Sequence, residues 1–434
     1  MTLFEIIATL LSIAAIFSWL NDRYLRLPTT IGLMLIALLV SLGLLILPFD
    51  SGFQADIQQM LEHIRFDDTL LHGLLSFLLF AGALHVDLND LARQKWVIAI
   101  LATASVVGAT LIIGVGAYVL FPLVGLQVPL IDCFLFGALI SPTDPIAVLG
   151  VLKNAGAPES LKTKITGESL FNDGVAVVVF LTIAGLASGG HDISTLGFLE
   201  LLGREAIGGV LFGLVTGGLA FLMLYRIDNY QVEVLVTLAL ATGGYALAEH
   251  LHLSAPIAIV VAGLLIGNQG RKRAMSEKTR QHLDDFWELV DEVLNAVLFV
   301  LIGLEVLVIS LSLDHLLAGA LAIPLVLVAR GISVGVPIGI MRRFRSFSTG
   351  VVSLLTWAGI RGGISVALAL SLPHGETRDI LVTVTYVIVV FSILVQGLTL
   401  GPLVRVMGAR AERELARTSL AGPRAGETPQ KPGA

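Results

Sequence analysis

Apolar residues run through this chain in blocks too long for the core of a water-soluble domain, separated by short polar stretches. Thirteen such segments can be marked, at about 3–20, 28–47, 67–84, 96–120, 131–152, 165–187, 200–224, 232–249, 254–268, 286–311, 315–340, 348–371 and 380–403. A run of roughly 18 or more apolar residues can cross the hydrocarbon core of a bilayer as a helix. Backbone polar groups must be satisfied internally there, which helices do. The pattern predicts an all-α polytopic membrane protein of about 13 transmembrane helices.

Two segments break the helical pattern at mid-span. Segment five holds Ser141-Pro142-Thr143-Asp144-Pro145. Each proline lacks an N–H and pushes the preceding residue towards extended geometry, so two prolines three apart predict two half-helices joined by an extended bridge. Carbonyls freed on that bridge need a partner from the protein or a ligand. With Asp144 and the Thr143 hydroxyl beside them, the set suits a hard cation such as Na⁺; a proline kink with an incidental aspartate is the plainer reading. Segment twelve holds Trp357-Ala358-Gly359-Ile360-Arg361-Gly362-Gly363, glycines loosening the helix around a permanent cation. Segments five and twelve are the second-to-last spans of two six-span halves. Interrupted helices in corresponding positions predict two inverted six-helix repeats with a site at the midplane. Repeat one then covers about 3–190, a linking helix about 200–224 and repeat two about 232–405.

The third polar island opens segment six: Gly167-Glu168-Ser169-Leu170-Phe171-Asn172-Asp173-Gly174. Residues four apart share a helix face, which pairs Ser169 with Asp173 and Glu168 with Asn172. Ionisable groups at membrane depth are expensive and mark ion or proton paths, although a helix end wetted at the interface has the same composition. Arg361 needs a carboxylate, and Glu168 is the expected partner. Arg330, inside segment eleven, is a second intramembrane cation that neutralises either a helix C-terminal end or another acid. Glu305 is expected at the interface. His85 and Asp87, at the inner end of segment three, read as a wetted helix end or as the wall of a cytoplasmic funnel. Gly209, Gly213 and Gly217 recur every four residues on segment seven, a stripe for close helix contact within the chain or across a dimer seam. His63, His72, His250 and His252 have no metal-ligand spacing.

Composition agrees with the pattern. Hydrophobic residues make up 56% of the chain and charged residues 14%, with a mean hydropathy of +0.89, which excludes an ordinary soluble domain. The single cysteine, Cys133, forms no internal disulfide and reads as a packing residue. Glu5 stands where a signal peptide would be basic, so the first segment is expected to be retained. Placing the carboxyl terminus in the cytoplasm puts 22 Lys and Arg inside and three outside. Localisation in the cytoplasmic membrane follows, with the amino terminus outside. The transmembrane domain spans 1–405 and the tail 406–434, with a short surface helix possible at 409–420 and a disordered end from Ala421. The basic-then-acidic stretch 270–285 reads as a solvated connector. No Gly-x-x-x-x-Gly-Lys loop supports ATP-driven transport, and no His-Glu-x-x-His supports a zinc protease. Asp144 and Asp173 could serve an intramembrane aspartyl protease, but the flanking prolines and hydroxyls suit ion ligation better. A gated cation channel could use the same oxygens. Neither a cofactor nor a nucleic-acid partner is expected.

In combination, Ser141-Pro142-Thr143-Asp144-Pro145, Gly167 to Gly174 and Gly359-Ile360-Arg361-Gly362-Gly363 resemble the NhaP-type sodium/proton antiporters of the monovalent cation–proton antiporter superfamily. The resemblance covers about 3–405. It implies thirteen helices, a homodimer, and a core bundle moving against a dimerisation domain. It also implies cation ligation at Thr143 (by its backbone carbonyl), Asp144, Ser169 and Asp173, and pairs Glu168 with Arg361; Asn172 and Arg330 are read from the sequence as further supporting residues. Asp173 would bind a cation or a proton, not both. Asn172 stands where electrogenic relatives carry a second aspartate, which implies electroneutral exchange of one Na⁺ (or Li⁺) for one H⁺. A K⁺/H⁺ or broad monovalent cation/H⁺ antiporter shares this architecture. One departure is visible: archaeal relatives carry a glutamate on the third helix where this chain has Ala81, so water or another oxygen must replace it.

Overall fold

The computed structural model describes residues 2–46, 73–154, 159–187, 195–309, 311–345, 347 and 350–407. Positions 67–72 of segment three, Arg65, His63, His72 and the tail from 408 lie outside the described residues.

Among the described residues, each predicted segment contains a helix or a pair of half-helices. In order these are α1 (Leu3–Leu20), α2 (Thr29–Ile46), α3 (Leu75–Leu84), α4 (Leu88–Leu120), α5 (Leu130–Leu139), α6 (Pro145–Asn154), α7 (Glu159–Ala187) and α8 (Thr195–Leu224). They continue as α9 (Tyr230–His250), α10 (Ala255–Leu265), α11 (Glu277–Leu304), α12 (Leu313–Met341), α13 (Val351–Trp357), α14 (Gly363–Leu370) and α15 (Glu376–Phe391). Eight helical stretches among the described residues are long and apolar enough to cross a membrane.

Local chemistry explains several ends. Thr2 and Glu5 form a capping box on α1, so the acid that argued against a signal peptide closes the first helix. Asp87 caps α4 by accepting from the Asn89 N–H at 2.6 Å, and Asn229 does the same for α9. The stretch 270–285 is not an open connector. Arg271–Arg273 is a helical turn, α11 begins at Glu277, and Arg271 pairs with Asp284. Charge patterning hid this start, because the first three turns of α11 are too polar to read as a span. Buried Asn268, which the apolar pattern also missed, accepts from the Leu88 N–H and donates to the Val86 and Leu264 carbonyls, all at 2.8–2.9 Å. It ties the α3–α4 junction to the end of α10.

The helices sort into two bundles. In one, α4 packs on α5, α7 and α12, and α12 packs on α13 and α15. In the other, α2 packs on α11, α3 on α10 and α11, and α8 and α9 on α10. The glycine stripe of α8 lies inside the second bundle: a Cβ on Gly209 would come within 2.7 Å of the Ser254 carbonyl, and one on Gly217 within 3.0 Å of the Ala262 Cα. Small residues let the two backbones touch here. Between the bundles lies a cavity of about 1190 Å³.

Candidate functional site

The two broken helices meet at the inner end of this cavity. α5 stops at Leu139 and α6 starts at Pro145; α13 stops at Trp357 and α14 starts at Gly363. The bridges cross. The Asp144 N–H donates to the Ile360 carbonyl at 2.8 Å. From the other strand, Arg361 Nη1 donates to the Pro142 carbonyl at 2.9 Å and to the Ser141 carbonyl. A guanidinium thus takes two of the carbonyls freed by the prolines, the accounting that an interrupted span demands. Gly362 is required at this crossing, since a Cβ there would strike the Asp144 carboxylate.

α7 runs alongside the crossing. Asn172, fully buried, donates from Nδ2 to Thr143 Oγ1 at 2.8 Å, and the Thr143 and Ser169 hydroxyls share a hydrogen bond at 2.9 Å. Ser169 is 2% exposed and Asp173 3%, with the Asp173 Oδ1 carrying no hydrogen-bond partner. The structure therefore sets Ser169, Asn172 and Asp173 on one face of α7 and joins Thr143 of the bridge to the first two, with Asp144 at the adjoining cavity wall. Thr143, Asp144 and Asp173 all line the cavity.

The expected pairing of Glu168 with Arg361 is corrected. Glu168 Oε1 pairs with Arg330 Nη1 at 2.6 Å, both side chains being at most 5% exposed. Arg330 reaches α7 from α12 past Gly359, where a Cβ would come within 2.8 Å of its Nε. Arg361 instead directs its Nη1 to the carbonyls of the facing bridge. Glu168 also lies roughly 140° around α7 from Asp173 at 100° per residue, away from the cavity. Glu305 is buried within the protein, at 6% exposure. His85 and Asp87 are exposed and line the cavity, so they are both a wetted helix end and a funnel wall. Ala81 lies in the same lining.

With this geometry established, known proteins agree on its class. The family model described as "Sodium/hydrogen exchanger, transmembrane" matches residues 8–406. The chain belongs to the sodium/hydrogen exchanger family. It is 52% identical over 408 residues to the Na⁺/H⁺ antiporter NhaP of Pseudomonas aeruginosa, covering 92% of this chain and 96% of that one. It is 37% identical over 395 residues to the Na⁺/H⁺ antiporter NhaH of Halobacillus dabanensis, covering 89% and 93%. Among solved structures, the sodium proton antiporter MjNhaP1 from Methanocaldococcus jannaschii at pH 8 superposes with a TM-score of 0.72 at 20% identity, over 95% of this chain and 99% of that one. That likeness establishes a shared fold.

Proposed function

We propose that this exchanger is a secondary active Na⁺/H⁺ antiporter of the cytoplasmic membrane, in which Asp173 alternately binds a cation and a proton. The observation that carries the reading is the placement of Asp173, buried and with an unpartnered oxygen, where the cavity between two helix bundles reaches the crossed breaks. The names of the relatives above support the cation, which is Na⁺, with Li⁺ as its congener. In this reading the Asp144 and Asp173 carboxylates, the Ser169 hydroxyl and the Thr143 backbone carbonyl form the cation shell. Oxygen donors of this kind suit a hard ion. Asn172 locks Thr143 to α7, while Glu168–Arg330 and Arg361 hold the charged scaffold. The thirteen segments cross the membrane as two inverted repeats of six plus a linking helix, amino terminus outside, in a homodimer. Alternating access then moves one bundle against the other, shifting the cavity from one face of the membrane to the other.

The test is dissipation of an imposed proton gradient in everted vesicles on addition of Na⁺, Li⁺ or K⁺, across a range of pH. Wild-type protein should respond to Na⁺ and Li⁺, and Asp173→Asn should respond to none at undiminished expression. A response to K⁺ alone would move the chain to a K⁺/H⁺ antiporter, and substantial retained activity in Asp173→Asn would remove the assigned carrier.

A further inference from the structure

The cavity between the bundles has a wall that the exchange site does not use. On α11, Glu288, Asp291, Glu292 and Asn295 fall at i, i+3, i+4 and i+7, one helix face, and all four line the cavity. They form a gradient of burial: Glu288 and Glu292 are exposed, Asp291 is half-buried and Asn295 is 4% exposed. Among the described residues the same lining holds two cations, Arg26 and Lys162, against seven carboxylates.

An acidic face alone attracts cations without binding any one of them. Asn295 adds something else. It stands one turn from Asp291 on the same face, and its Oδ1 is buried with no hydrogen-bond partner. Buried acceptors are satisfied in nearly all folded proteins, and one that no protein group satisfies at a polar cavity wall is an oxygen free to coordinate a cation. The Ser365 Oγ, 1% exposed and also unpartnered, lies in the same lining. Asp144 and Asp173 line the same cavity as Asp291 and Asn295, which places this group beside the exchange site.

We propose that Asp291 and Asn295 form a second cation-binding station, at which a partly dehydrated monovalent cation waits before passing to Asp144 and Asp173. Asp291 supplies the charge and the Asn295 carbonyl oxygen replaces a water of the hydration shell. Glu288 and Glu292 raise the local cation concentration at the cavity mouth. The station rests on the cation-transport reading above for its purpose, but its existence can be tested separately.

The decisive measurement is ²²Na⁺ binding to the full-length, detergent-purified protein. Asp173→Asn should retain a weaker class of Na⁺ site, and adding Asp291→Asn or Asn295→Leu should remove it. In proteoliposomes, Asn295→Leu and Asp291→Asn should raise the Na⁺ concentration for half-maximal exchange by about tenfold, the loss of one charge-assisted contact, with the maximal rate less affected. Asn295→Asp keeps an oxygen acceptor and should restore the low value, which separates ligation from a general packing defect. Absence of Na⁺ binding in Asp173→Asn, or an unchanged half-maximal concentration in both single variants, would overturn the station. Failure of wild-type protein to couple Na⁺ to protons would instead remove the antiport reading, leaving the binding assay to decide the station.

Discussion

Arg330 and Arg361 are both guanidiniums buried at membrane depth, yet they hold different things. Arg330 faces a carboxylate, Glu168, at 2.6 Å, whereas Arg361 faces backbone carbonyls at the crossing. Removing one member of a buried ion pair leaves an uncompensated charge and costs about 3–5 kcal/mol, while removing both leaves none. Glu168→Gln and Arg330→Met should therefore each lower the unfolding temperature of the purified protein sharply, and the double variant should recover much of the loss. Combining Glu168→Gln with Arg361→Met should give no such recovery. Thermal unfolding in detergent measures all of these, and equal recovery from both double variants would show that Glu168 serves the two arginines alike. Spacing could not have chosen between them: both lie far from Glu168 in sequence. The choice depends on Gly359 leaving a path for Arg330, which is a packing fact.

At the scale of helices, the breaks were legible and the close contacts only half so. Pro142 and Pro145, three apart, interrupt a span, whereas Pro324 and Pro337 are carried inside the unbroken α12. A lone helical proline removes one hydrogen bond, but a pair around Thr143-Asp144 leaves no turn intact between them. The start of α11 was illegible because its first turns are charged. The α8 stripe announced a tight contact without naming its partner, which is α10. A Cβ on Gly213 would press into the Ala258 carbonyl, backbone that cannot swing aside, whereas one on neighbouring Gly218 would meet nothing within 4 Å. Gly213→Ala should then destabilise by about 1–3 kcal/mol through overpacking. Gly218→Ala should be neutral, or stabilising by up to about 1 kcal/mol from helix propensity. Thermal unfolding of the two variants side by side tests the contact; similar shifts in both would mean that α8 and α10 do not touch there.

For the whole molecule the proposed exchange makes a claim about charge. The bundle that carries the breaks holds three anionic and two cationic groups at the site: Glu168 offset by Arg330, Asp144 in the same crossing as Arg361, and Asp173. Asn172 adds none, because a carboxamide is uncharged; its amide donates to Thr143. With Asp144 ionised, the first four charges cancel in pairs, and Asp173 is neutralised equally by one Na⁺ or by one H⁺. The loaded bundle thus has the same net charge on the outward and the return journey. A membrane potential does work of about 2.3 kcal/mol per elementary charge per 100 mV, and here the charge moved over a full cycle is zero. In proteoliposomes clamped with K⁺ and valinomycin, the rate of Na⁺-driven proton movement and the gradient at which it stops should be the same at zero and at about 100 mV of either sign. A stopping gradient that moves with the potential would require a second proton per cycle. Asp144, the other carboxylate lining the cavity at the crossing, would be the group to carry it.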